Sequence, residues 1–265
     1  MEWFWYIIAS IGAGIGTGLA GLSAATVMVP MLIVLCPSFA GETGVYQATA
    51  VALASDILGS AVTSYTYAKN KNINLKRSWL IMTCILTMCA VGSYIAFIVG
   101  DTVLGGFTLI LTFLCGIRFL VKPDTTRATP VERTAKFGKK ELILSFVCGI
   151  PIGFGTGFVG AGGGMLMLIV FTAFFGMELK MAVGTSTFIM TFTALIASIS
   201  HIMLNPAIVF EKWDVMLLCI AVATTTSLVS AKFANRVNTR TVGLVTGAAL
   251  TILGATMIIL HYFLN

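Results

Sequence analysis

A chain of 265 residues that is 58% apolar and only 10% Asp, Glu, Lys and Arg, with a mean hydropathy of +0.99, has too little polar surface to cover a soluble globule and reads as an integral membrane protein. Its formal net charge of +6 would suit a nucleic-acid partner, but the cations are packed into a few short loops, which is how a membrane protein sets its orientation, so no nucleic acid is expected. The six cysteines form no C-x-x-C pair and lie mostly in apolar runs, which argues for small apolar filler and against a disulfide framework or a metal site.

The N-terminal stretch MEWFWYIIAS carries Glu2 and no basic residue ahead of its apolar run. It is expected to be a retained span, not a cleaved signal peptide, with Trp3, Trp5 and Tyr6 in the interfacial belt. Trp3 to Leu35 is an apolar run of about 33 residues, whereas one crossing takes roughly 20 and two take roughly 40. Pro30 and the glycines between Gly12 and Gly21 predict a helix that breaks near its middle and turns back. Thr43 to Ala68 is an ordinary span with Asp56 near its centre, and Lys69, Lys71, Lys76 and Arg77 follow in a short loop. Trp79 to Gly100 and Val103 to Val121 are two further spans joined by a turn at Asp101.

Lys122 to Lys140 is the clearly hydrophilic connector, with six Lys and Arg against Asp124 and Glu132. It divides the chain into an N-terminal membrane repeat (1–121), a basic cytoplasmic connector (122–140) and a C-terminal membrane repeat (141–265). The second half repeats the order of the first. Leu142 to Phe175 is again a glycine-broken run of about 34 residues, followed by the span Ala182 to Leu204. A loop from Asn205 to Lys212 containing Pro206 leads to Trp213, the counterpart of Trp79. Val215 to Ala231 and Val242 to Leu264 close the chain, separated by Lys232, Arg236 and Arg240.

Glycine carries the internal homology. GIGTGLAGL (Gly14 to Leu22) aligns with GFGTGFVGA (Gly153 to Ala161), pairing Gly14, Gly16, Thr17, Gly18 and Gly21 with Gly153, Gly155, Thr156, Gly157 and Gly160. Gly149 to Phe171 alone holds eight glycines and no charge, as expected of a helix interrupted at membrane depth. If each long run crossed only once, the basic loops at Lys69 to Arg77 and Lys232 to Arg240 would fall on opposite faces, against the positive-inside rule. If each run enters and returns as a hairpin, all three basic loops share one face. The N-terminus, Cys36 to Glu42, Asp101, the Pro206 loop and the C-terminus are then outside. The expected fold is therefore an all-α polytopic membrane protein of two homologous halves in an inverted repeat, each starting with a glycine-broken helix or helical hairpin.

The spacing G-x-x-x-G-x-x-G-x-G-G-G in Gly153 to Gly164, the A-x-G-T-S element at Ala182 to Ser186 and the basic central loop resemble the sulfite exporter TauE/SafE family of anion transporters over essentially the whole chain. The first half departs from the pattern, with Ser23, Ala24 and Ala25 in place of the triple glycine. The resemblance implies export or uptake of sulfite, an organosulfonate or a related small anion, with export the expected direction. It also implies residence in the cell inner (plasma) membrane.

Span interiors hold no Lys or Arg, so an anion at the midplane would need other donors, such as the backbone N–H groups of half-helix N-termini and nearby hydroxyls. The candidates are Gly21, Leu22 and Ser23 in one half and Gly160, Ala161, Gly162, Gly163 and Gly164 in the other, with hydroxyls from Thr17, Thr49, Thr156, Thr185 and Ser186. The plainer alternative is that the glycines only let helices pack closely. Asp56 is the acidic residue deep in a span, where a carboxylate is costly and is usually paired, neutral or functional. It is read as a proton-coupling group, against a structural hydrogen bond through Ser55 or Ser60. His201 is expected to be an interfacial or core histidine, and Glu178 and Lys180 to be solvated.

G-x-G-x-x-G is satisfied twice, but its dinucleotide reading needs a soluble βαβ unit that these spans deny. No nucleophile, His and carboxylate assemble at membrane depth, so the chain is not expected to be an enzyme. Neither an ATP-binding motif nor a cofactor or metal motif is present, which leaves ion gradients or a partner to supply energy. Other readings are a channel or cation carrier using Asp56, or a non-transporting membrane scaffold. A homodimer is compatible with the sequence.

Overall fold

The computed structural model describes residues 2–40, 43–75, 78–99, 110, 113–114, 116–118, 120–121, 139–160, 163–204 and 206–259, and every regular element among them is a helix. The first half contains α1 (Glu2–Ala20), α2 (Ala24–Leu35), a short 3-10 turn (Pro37–Phe39), α3 (Gly44–Lys69) and α4 (Trp79–Val99). Described residues between 110 and 121 are helical as well. The second half contains α5 (Lys139–Val159), α6 (Gly163–Ala173), α7 (Leu179–Leu204), α8 (Ala207–Arg236) and α9 (Thr239–Ile259). Helices α1, α3, α4, α7 and α8 are long and apolar enough to cross a bilayer. Most of the connector 122–140 lies outside the described residues.

The molecule is apolar outside and hydroxyl-rich inside. Phe4, Ile7, Ile11 and Ile15 recur three or four residues apart along α1 and are exposed, as are Phe192, Leu195, Ile199 and Met203 on α7. Ser10, Thr17, Ser55, Ser60, Thr63, Thr187 and Thr193 are buried. This distribution suits lipid, where the outer face has no reason to be polar and helices associate through small residues and interhelical hydrogen bonds. The protein is an integral membrane protein.

The first long run is a hairpin. Tyr6 Oη and Ser38 Oγ share a 2.6 Å hydrogen bond, and the Ser38 amide donates to Glu2 Oε1 at 3.1 Å. The start of α1 therefore lies beside the segment that follows α2. Helix α8 begins at this same end, where Lys212 Nζ donates to Ser38 O at 3.1 Å and Gln47 Nε2 donates to Glu211 Oε2 at 3.2 Å. Asn205 to Lys212 is expected to be a loop, but the helix starts at Ala207 and only kinks at Lys212 (φ −128°, ψ 19°). Low hydropathy marked the exit from the apolar zone and not the end of the helix, since a backbone already hydrogen-bonded inside a helix can carry polar side chains into the interface.

Helices α3 and α7, counterparts in the two halves, run antiparallel through the centre. Tyr46 Oη donates to His201 O at 3.1 Å, Ser60 and Thr191 share a 3.1 Å hydrogen bond between their hydroxyls at mid-height, and Gly184 packs against the Tyr67 side chain. Around this pair the halves exchange partners. Helix α1 lies along α8, where a methyl on Gly14 would stand 2.6 Å from Ala223 O and one on Gly18 2.5 Å from Ser227 O. Helix α5 lies along α4 in the same way, where a methyl on Gly153 would stand 2.9 Å from Met88 Cβ and one on Gly157 2.8 Å from Ser93 N. These matched glycines let backbones touch, as small-xxx-small spacing does in membranes.

The basic segments gather at the other end. Asn72 Nδ2 donates to Asn235 Oδ1 at 3.0 Å and Lys180 Nζ donates to Asn235 O at 3.0 Å. These bonds join the stretch after Lys69 to the Lys232–Arg236 end of α8. Lys180, expected to be solvated, is thus half-buried and bonded. Helix α5 starts at the same end, because its Gly149 packs on Ile81 and Cys84 near the start of α4.

Candidate functional site

Each long run breaks at a position that only glycine accommodates well. Gly21 has φ +64° and Gly160 φ +68°, in the left-handed region where a β-carbon is strained. Both are reached in the same way, with the Gly21 amide donating to Thr17 O and the Gly160 amide to Thr156 O, each at 2.9 Å. Thr17 and Thr156 spend their own hydroxyls on Ala13 O and Ile152 O, one turn back.

The two breaks meet. A methyl on Gly164 would run into Gly21 O, and it would stand 3.0 Å from the Ser23 amide. Ser23 Oγ lies 2.9 Å from Gly160 O and 2.7 Å from Asp56 Oδ2. Thr49, at the start of α3, packs against Gly160, and Ser186, on α7, packs against Gly21. The start of each half's central helix therefore props up the other half's break. Ser23, Thr49, Asp56, Thr156 and Ser186 are all between 0 and 4% exposed, so these side chains are shut away from solvent. Ala161 and Gly162 lie outside the described residues.

The helix ends at the junction are electrostatically distinct. The N-termini of α2 and α6 bring partial positive charge, and the C-termini of α1 and α5 bring partial negative charge. Side chains from central and exchanged helices satisfy several of the carbonyls before each break. Tyr67 Oη is 3.3 Å from both Gly18 O and Leu19 O, and Ser230 Oγ donates to Gly14 O at 2.9 Å. In the second half Ser93 Oγ donates to Gly157 O at 3.3 Å, and His201 Nε2 lies 3.4 Å from the same oxygen. His201 is buried with its ring on Tyr46, the centroids 4.4 Å apart.

The halves differ where an anion would sit. At the start of α2 the Asp56 carboxyl group faces the Ser23 hydroxyl and the Ala24 amide, so an internal acidic side chain already occupies that half-helix N-terminus. The partner of Asp56 is thus Ser23, not Ser55 or Ser60. Ser55 donates to Val51 O, and Ser60 bonds the backbone of Asp56. Extending the pairing of 46–50 with 182–186 places Phe192 opposite Asp56, so α6 has no equivalent carboxylate. Its first amides, at Gly163 and Gly164, lie beside Thr156, Met190 and the first break.

Of the residues expected from the sequence, Gly21, Leu22, Ser23, Thr49, Thr156, Gly160, Gly163, Gly164, Ser186 and Asp56 lie at or beside this junction. Leu22 gives its amide to Gly16 O at 3.3 Å. Thr17 lies one turn before the break. Thr185 stands apart, donating to Met181 O and accepting from the Asn74 amide at 3.0 Å, which fixes the loop after α3. Tyr67, Ser93, Met190 and Ser230 were not anticipated. They are single residues inside ordinary spans, and only their contacts distinguish them. A separate cleft of about 220 Å³ between α1, α2 and α9 is lined by residues such as Ile8, Ile15, Leu19, Met31, Leu250 and Leu253. Its apolar wall offers nothing to an anion.

Comparison with known families matches residues 6–257 to the sulfite exporter TauE/SafE model. Neither curated proteins nor solved structures give a significant match.

Proposed function

The chain belongs to the sulfite exporter TauE/SafE family, and on that premise we propose that it is a secondary transporter exporting a small sulfur-containing oxyanion or sulfonate by alternating access at the junction of its two helix breaks. The observation that carries this reading is the direct contact between the breaks, Ser23 Oγ to Gly160 O at 2.9 Å. Discontinuous helices from two repeats, meeting near the midplane, are the arrangement by which secondary transporters hold ions away from water. The antiparallel course of α3 and α7 supports an inverted repeat in the bilayer, with the basic end facing the cytoplasm of the plasma membrane.

In this reading the anion binds at the start of α6, at the half-helix N-terminus of Gly163 and Gly164, with Thr156 beside it and Ser186 next to Gly21 across the junction. The start of α2 is left to the Asp56 side chain, so one side of the junction is already occupied and the other is free to take negative charge. A junction whose side chains are shut away from solvent corresponds to the occluded step of the cycle.

Purified protein in proteoliposomes, offered sulfite, thiosulfate, sulfoacetate, taurine and sulfate, tests it. Saturable flux of at least one sulfur oxyanion or sulfonate is expected. Flux that rises linearly without saturation identifies a channel, and no flux of any of them identifies a scaffold; either result overturns the proposal.

A further inference from the structure

The Ser23 hydroxyl has one hydrogen, and two oxygens compete for it. Asp56 Oδ2 stands 2.7 Å away and Gly160 O 2.9 Å away, both at hydrogen-bonding distance. A carbonyl oxygen only accepts, and so does an ionised carboxylate. With Asp56 charged, the Ser23 hydroxyl carries the one hydrogen available to these two contacts, and one of them is left with no hydrogen between its atoms. A second proton, on Oδ2, satisfies both. Asp56 then donates to Ser23 Oγ, and Ser23 donates to Gly160 O. The hydrogen count thus matches the geometry only when Asp56 carries a proton.

We infer that Asp56 and Ser23 form the binding site for a coupling proton, and that this proton latches the first helix break to the second in the closed state. The inference rests on the transporter reading for the word coupling, but the latch itself is a property of the fold. When the proton leaves, the carboxylate takes the Ser23 hydrogen, the Gly160 carbonyl loses its donor, and the break after α5 is no longer tied to the start of α2. The O–H bond of Asp56 is the one bond made or broken, and the proton passes to and from water when the junction opens. Among the described residues no other charged or titratable side chain faces the Asp56 carboxylate from the elements packed around α3, whose polar partners are the Ser23 hydroxyl and the Ala24 amide. Asp56 Oδ1 is buried without a hydrogen-bond partner among the described residues. The pseudosymmetric positions are Gly162 and Phe192, neither of which can hold a proton, so the chain has one such latch.

Asp56→Asn is the decisive variant, because the amide keeps the shape and supplies a permanent N–H toward Ser23, imitating the protonated acid. Ser23→Ala removes the relay whatever the state of Asp56. Melting temperature of the purified full chain is measured from acidic to alkaline buffer without any anion. The proton adds a bond, so wild type should melt higher in acid and lose that increment as pH rises. The gain or loss of one buried hydrogen bond corresponds to a shift of roughly 3 °C in a chain of this size. Asp56→Asn should hold the upper value across the range, and Ser23→Ala should lose most of the increment. In proteoliposomes an imposed proton gradient should accelerate anion flux in wild type at least tenfold more than in Asp56→Asn. Parallel melting profiles for wild type and Asp56→Asn would overturn the latch, and equal response to the gradient would overturn coupling. Because the melting profiles need no anion, they decide the latch independently of the flux that decides transport.

Discussion

A methyl group on Gly163 would meet the Thr156 side chain, whereas one on Gly164 would run into the Gly21 carbonyl. A threonine side chain can turn away and a backbone carbonyl cannot, so neighbouring glycines should answer the same substitution differently. Gly163→Ala is expected to leave a folded protein whose anion affinity falls about tenfold, or about 1.4 kcal/mol, because the methyl crowds the amides that would face the ligand. Gly164→Ala is expected to cost about 1–3 kcal/mol of stability through overpacking at the junction itself. Equilibrium anion binding and melting temperature on the same preparations check both. Unchanged affinity in Gly163→Ala would move the anion away from the start of α6.

Among the elements, the broken helices are where sequence and structure agree most closely. The two runs of abnormal length, the hairpin turn of the first and the pairing of Gly21 with Gly160 were all legible, because a positive φ and a helix reversal both demand glycine. The division of labour among the glycines was not legible. Gly14, Gly18, Gly153 and Gly157 serve packing, while Gly21 and Gly160 serve the breaks. The letter is the same, and only φ and the facing helix tell the two roles apart. Nor could periodicity announce that Tyr67, one tyrosine among several, would reach the carbonyls that α1 leaves open before its break. Tyr67→Phe should therefore lower stability by about 1 kcal/mol, the worth of a buried hydrogen bond, with the hairpin intact. Gly18→Ala, which forces α1 away from Ser227 O and the Ala231 amide, should cost about 1–3 kcal/mol or more. Thermal melts of the two variants rank them; a Tyr67→Phe loss larger than that of Gly18→Ala would contradict the account of what holds α1.

At the scale of the whole molecule the chain reads as two similar halves, but packing does not respect the division. The stretch after Lys69, the Lys232–Arg236 end of α8 and the start of α5 share one end, with Glu2, Ser38 and Glu211 at the other. Single cysteines introduced at Lys71 and Arg236 should be shielded from an impermeant thiol reagent applied outside intact cells, whereas one introduced next to Glu2 should react. Labelling in the opposite sense would invert the protein in the membrane. The exchanged pairing of α1 with α8 and of α4 with α5 also bears on how the protein comes to exist. During synthesis α1 enters the bilayer long before the helix that covers its glycine face emerges. The N-terminal hairpin must wait, its Gly14–Gly18 groove open to lipid, until some 200 further residues have been translated. Neither half can bury its own seams, so expressed alone each should be a target for membrane proteolysis. Together in one cell, as separate polypeptides, they should protect each other and reassemble.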